Sequence, residues 1–200
     1  MLRILTIAKH LVILLNALAP AILFADEPAD ASSGAPPRES KKADVVYVST
    51  PNDVVMKMLD LAAVTKNDMV YDLGCGDGRI VVAAAKRRGA HGVGFDIDPN
   101  RIKESRENAD RNKVQALATF QEKDIFTVEL GTATVVTMYL LPELNVKLIP
   151  QLDKLPPGAR IVSHDFDMKG VTPDKVVKMV SKEDNVGHTL FLWTTPLKKE

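Results

Sequence analysis

Cysteine is almost absent from the chain: among 200 residues only Cys75 carries a thiol. A single thiol forms no internal disulfide, and no cluster of metal-ligand residues surrounds it in sequence. Lying between two glycines, Cys75 reads as a small residue filling a tight loop; a nucleophilic thiol would need a base beside it in space. Charge of one sign is also lacking, since Lys+Arg and Asp+Glu both number 26. Without a basic excess there is no long-range attraction to a polyanion, and no nucleic-acid partner is expected. Aromatic residues amount to only 5%. Internal repeats are lacking too, which excludes a solenoid. What remains is an ordinary globular balance, with 46% hydrophobic and 26% charged residues. Such a chain can bury a core without disulfides or metals.

The first 25 residues differ in kind. Arg3 and Lys9 precede an apolar run over 11–24, and Ala25 meets Asp26. A positive start, a short apolar stretch and a small residue before a polar segment describe a secretory signal. The run is short of the ~20 residues of a spanning helix, so an uncleaved anchor is the alternative. The expected location is therefore exported or membrane-anchored, with a cytoplasmic location as the alternative. Residues 26–44 hold Asp, Glu, Ala, Ser, Gly, Pro and Lys without apolar period, as a disordered tether does. The expected domain covers 45–200.

Within that domain Thr50 is placed to cap a helix, with Pro51 first in it and Asp53 completing a capping box. Residues 54, 55, 58, 59, 61 and 62 form its apolar face. Strands are expected at 69–73, 92–97, 119–123, 134–140 and 160–163, with helices at 80–86, 99–112 and 142–152. A terminal hairpin is expected from strands at 176–180 and 188–194. His91 and His188, beside strand starts, read as structural. Alternating strands and helices imply a Rossmann-like, doubly wound α/β fold: a mostly parallel seven-stranded sheet covered on both faces, with a C-terminal antiparallel hairpin. Ligands of such sheets lie beyond the carboxyl ends of the strands. The loop at 72–78, Asp96, Asp124, Tyr139 and His164 all fall there.

The loop reads Asp-Leu-Gly-Cys-Gly-Asp-Gly at 72–78. A dinucleotide fingerprint has its third glycine at the sixth position. Here Gly74 and Gly76 are followed by Gly78, one place too early, and Arg79 stands sixth. Asp72 and Asp77 flank the loop and would repel the phosphate that a helix start otherwise welcomes. Acids suit a phosphate-free cation, and S-adenosylmethionine carries a sulfonium and an ammonium. Asp96 follows Gly76 by the roughly 20 residues that separate such a loop from a ribose-binding acid. Asp98, just before Pro99, is the better helix cap. Ile97 is placed against the adenine ring, and Asp124 and Ile125 near its amino group; an Asp opening a loop also serves the turn itself.

Residues 70–80, Val-Tyr-Asp-Leu-Gly-Cys-Gly-Asp-Gly-Arg-Ile, and 94–98, Gly-Phe-Asp-Ile-Asp, resemble the first two motifs of class I S-adenosylmethionine-dependent methyltransferases. The segments Tyr-Val-Ser-Thr at 47–50, Ala-Thr-Val-Val-Thr-Met-Tyr-Leu-Leu-Pro-Glu at 133–143 and Gly-Ala-Arg-Ile-Val-Ser-His at 158–164 resemble a branch of protein lysine methyltransferases. That branch includes the mitochondrial enzymes acting on an ATP synthase subunit and on the adenine nucleotide translocase. A more distant likeness is to the non-SET histone lysine methyltransferase, from which Met138, Tyr139 and Leu140 depart at an Asn-rich segment. The resemblance implies S-adenosyl-L-methionine as cofactor and a protein lysine as acceptor. It also implies Tyr47 and Thr50 near the methionine end, Asp72 on the methionine amino group and Asp96 on the ribose. Tyr139 and His164 are the candidates nearest the acceptor. A small-molecule methyltransferase and a cofactor-binding protein without turnover are the alternatives.

Overall fold

A computed structural model describes residues 48–200. The expected signal or anchor at 1–25, the tether at 26–44 and Tyr47 lie outside the described residues. In chain order the elements are α1 (Asn52–Leu61), β1 (Met69–Leu73), α2 (Arg79–Arg88), β2 (His91–Asp96), α3 (Pro99–Asn112), β3 (Ala118–Glu122), a 3-10 turn (Ile125–Thr127), β4 (Val135–Met138), α4 (Pro142–Leu152), β5 (Arg160–His164), β6 (Lys175–Val180) and β7 (Gly187–Thr194).

The seven strands form one sheet in the order β3-β2-β1-β4-β5-β7-β6. Pairings from β3 to β5 are parallel; β7 runs antiparallel to both β5 and β6. The order reverses between β1 and β4, so the crevice beyond their carboxyl ends is the switch point of a doubly wound sheet. Side chains alternate across the central strands. Val70, Val135, Val162 and Leu190 pack with α1 and α2, while Tyr71, Val136, Ile161 and Trp193 pack with α4. A third cluster joins α2 and α3 to Ala118 and Phe120 of β3. Burying each large apolar side chain here contributes about 1.5–3 kcal/mol, which holds the strand ends in register.

Two local readings are corrected. Thr50 and Asp53 do not cap α1: Pro51 occupies the cap position without a side-chain bond. Thr50 Oγ1 instead lies 3.0 Å from His164 Nδ1. Asp53 turns to the β6–β7 loop, accepting from Ser181 Oγ at 2.8 Å and Lys182 N at 2.7 Å. Tertiary partners outcompete the local cap. His164, expected just past its strand, is the last residue of β5. The other elements fall within a few residues of their expected places.

Candidate active site at the switch point

The glycine loop leaves β1 under backbone control. Gly74 N and Cys75 N both donate to Phe95 O at 2.9 Å, and Gly78 N donates to Cys75 O at 2.8 Å. Gly74, Gly76 and Gly78 have φ of 80, 53 and 75°, the left-handed region that glycine enters without a Cβ penalty. A Cβ on Gly78 would come within 2.6 Å of the Phe120 ring and 2.7 Å of Ser105 Cβ. Cys75 is buried in the α2–α3 cluster, and burial pushes its thiol well above its ordinary range. It is a packing residue.

Asp72 is buried, and its Oδ1 accepts from Thr137 Oγ1 at 2.7 Å. Its Oδ2 is buried without any hydrogen-bond partner. Burial raises its pKa to about 7, against the Thr137 bond that lowers it; Asp96 and Asp77 add smaller repulsions. An unpartnered buried carboxylate oxygen beside the loop fits an ammonium donor, and an orphan of that kind is costly otherwise.

Asp96 ends β2 and reaches back across the loop. Its Oδ2 accepts from Gly76 N at 2.9 Å and its Oδ1 from Asp98 N at 3.0 Å. Each oxygen keeps a second lone pair for a further donor. Asp98 caps α3 by accepting from Asn100 N at 2.8 Å. Ile97 follows β2, half-buried. Asp124 caps the 3-10 turn, accepting from Phe126 N at 3.0 Å, and Ile125 packs against the main core. The turn-forming reading of Asp124 is thus realised.

Asp77 differs from expectation. It is neutralised rather than free: Arg79 reaches it with Nε at 3.0 Å and Nη2 at 2.7 Å. The same guanidinium donates Nη1 to Thr50 O at 2.7 Å, tying the segment before α1 to the loop. With Asp77 held by Arg79, the acids that remain beside the loop are Asp72 and Asp96.

On the other side of the switch point, the Tyr139 ring lies 4.0 Å from the His164 ring, and Phe166 stacks on Tyr139 at 6.2 Å. Burial and the Asp165 carboxylate raise the Tyr139 pKa. Burial lowers that of His164 to about 4. His188, read as structural, joins this group: its Nδ1 is 2.9 Å from His164 Nε2. The hairpin brings it there, which local sequence does not show. Asn145 was also missed. Buried on α4, its Nδ2 donates to Ser163 Oγ at 3.2 Å and to the carbonyls of Phe166 and Asp167 at 3.1 Å each. It holds the loop that follows β5. A polar residue in the apolar spacing 141, 145, 148, 152 was the available signal.

The doubly wound sheet and the glycine loop, with Asp72 and Asp96 beside it at the switch point, define an S-adenosylmethionine-dependent methyltransferase. Residues 72–175 match the family model of the ANTKMT methyltransferase domain. The chain belongs to this family. It is 44% identical to a protein-lysine N-methyltransferase of Saccharolobus islandicus over 151 residues, 74% of this chain and 92% of that protein. It is 33% identical to the adenine nucleotide translocase lysine N-methyltransferase of Mus musculus over 137 residues, 68% of this chain but only 59% of that enzyme. Among solved structures, an RNA methyltransferase of Salinibacter ruber in complex with S-adenosyl-L-homocysteine superposes with a TM-score of 0.70. Its identity is 47%, over 76% of this chain and 97% of that one.

Proposed function

We propose that the protein transfers a methyl group from S-adenosylmethionine to the side-chain nitrogen of a lysine in a protein. The observation that carries this reading is the likeness to the Saccharolobus protein-lysine N-methyltransferase along nearly its whole length. The cofactor, when bound, supplies an already activated sulfonium methyl, so the chain contributes positioning and desolvation. Asp72 Oδ2 receives the methionine ammonium. Gly74, Gly76 and Gly78 let the backbone approach, and Asp96 holds the ribose hydroxyls. Ile97, Asp124 and Ile125 line the adenine, while Tyr47 and Thr50 lie at the methionine end. Tyr139 and His164 flank the acceptor. A lysine with its free pKa of about 10.4 must shed a proton before attack, and a desolvating aromatic channel promotes that loss.

RNA is the second reading, favoured by the name of the Salinibacter relative and opposed by the zero net charge. One experiment separates them. The protein is incubated with methyl-labelled S-adenosylmethionine and host lysate. Protein-bound label recovered as methyl-lysine after hydrolysis supports the proposal. Label released by ribonuclease supports the RNA reading, and label in the low-mass filtrate a small acceptor. No transfer at saturating cofactor supports a binding protein without turnover.

We propose further that residues 1–25 export the protein or anchor it to a membrane. No helix among the described residues is long and apolar enough to cross one. Mass spectrometry of the mature N-terminus and fractionation of cells test this; an intact N-terminus in the soluble cytoplasmic fraction contradicts it.

A further inference from the structure

Three side chains converge beyond the acceptor side of the site. His164 Nε2 lies 2.9 Å from His188 Nδ1 and 3.3 Å from Asp165 Oδ2, and His188 Nδ1 lies 3.3 Å from the same oxygen. Such a triangle has the size of one face of a coordination shell. Bonds of about 2.0–2.1 Å put neighbouring donors roughly 3.3 Å apart around a tetrahedral zinc and about 2.9 Å apart around an octahedral ion.

The three groups are held from behind as metal ligands are. His164 Nδ1 is 3.0 Å from Thr50 Oγ1, and His188 Nε2 is 3.2 Å from Asp184 Oδ2. Ligating histidines have their second nitrogen fixed in this manner. Asp165 Oδ1 accepts from Thr189 N at 2.9 Å, which leaves Oδ2 directed at the imidazoles. Asp165 adopts a φ of 60°, the left-handed region that Asp enters more readily than most residues.

The triangle can present a lone pair from each of its three residues. An ionised Asp184 only accepts, so His188 Nε2 carries the proton and Nδ1 presents a lone pair. Asp165 Oδ2 presents only lone pairs. A divalent cation would meet three lone pairs at once.

We propose that His164, His188 and Asp165 bind a divalent transition cation, with zinc the best match, and that its occupancy is coupled to the cofactor site through Thr50. With the cation on Nε2, the proton of neutral His164 resides on Nδ1. Thr50 Oγ1 then accepts from His164 instead of donating to it, and its own O–H is freed. The coupling rests on reading Thr50 as a cofactor contact; the cation site does not.

The test titrates the full chain, stripped with chelator, with Co2+ in the absence of cofactor. One equivalent should give visible absorption of a nitrogen–oxygen site, abolished by Zn2+. His188→Asn and Asp165→Asn, each checked for an intact thermal transition, should weaken Co2+ binding by at least about 10- to 100-fold, and His91→Asn should not. No absorption, or absorption unchanged in both variants, would overturn the site. In a second arm, Zn2+ should change S-adenosylhomocysteine affinity severalfold in the native chain and leave it unchanged in Thr50→Val, both compared at Zn2+ concentrations that saturate each protein as judged by loss of its Co2+ band. An affinity indifferent to Zn2+ in the native chain would overturn the coupling. Failure to bind S-adenosylhomocysteine at all would overturn the cofactor assignment and leave the Co2+ result standing.

Discussion

Thr137 Oγ1 donates a 2.7 Å hydrogen bond to one oxygen of Asp72, and the other oxygen is buried with no partner at all. β4 and β1 are paired so that Asp72 stands opposite Thr137. The sheet register thus fixes the carboxyl group and leaves half of it for a ligand.

A pH dependence follows from that half-satisfied acid. Its folded pKa is about 7, against about 3.9 in an unfolded chain. Between these values the folded protein alone keeps the proton. This contribution is greatest below pH 4 and declines as pH rises, by about 1.4 kcal/mol per unit, levelling above pH 7. Urea melts without cofactor should show native stability falling relative to Asp72→Asn between pH 4.5 and 7.5. A difference that does not change with pH contradicts it.

Asp96 should be the second determinant of cofactor affinity. Its carboxylate already holds Gly76 N and Asp98 N, so the loop is fixed before any ribose arrives. Asp96→Asn replaces an acceptor by a donor. Losing hydrogen bonds to a charged group costs about 1.5–3 kcal/mol, or roughly 10- to 100-fold in S-adenosylhomocysteine affinity by calorimetry. Asp98→Asn, which retains a capping oxygen, should change affinity less than threefold, as an estimate of about 0.5 kcal/mol implies.

Gly78→Ala should destabilise the fold itself. The added methyl would meet Phe120 and Ser105 at a φ of 75°. Overpacking and left-handed backbone together cost about 2–5 kcal/mol. The denaturant midpoint reports this, and an unchanged midpoint contradicts it.

Asn145→Leu should loosen the loop after β5 without touching the cofactor. It leaves two carbonyls, those of Phe166 and Asp167, without this donor. A stability loss of about 2–3 kcal/mol is expected, with methyl transfer falling more than S-adenosylhomocysteine binding. Equal losses in both would place Asn145 on the cofactor side instead.

Much of this architecture was legible because it is local. Periodicity located the helices, and Asp98 with Pro99 marked the start of α3. The early third glycine separated the loop from a dinucleotide fingerprint. What the sequence could not show depends on long-range pairing. Thr50 abandons its cap for His164, and the hairpin carries His188 to β5. For Thr50 the partner placed by the fold wins over the local one, and His188 gains a partner its own neighbours do not supply. Thr137 as partner of Asp72 likewise emerges only from the register of β4 on β1.

That the loop and its acids hold S-adenosylmethionine by its charges is tested most directly by a crystal structure with S-adenosylhomocysteine. The ligand's ammonium is expected on Asp72 Oδ2, within a hydrogen bond of about 2.7–2.9 Å, and both ribose hydroxyls on Asp96. A ligand whose ammonium faces another group, with Asp72 Oδ2 still unpartnered, would contradict it.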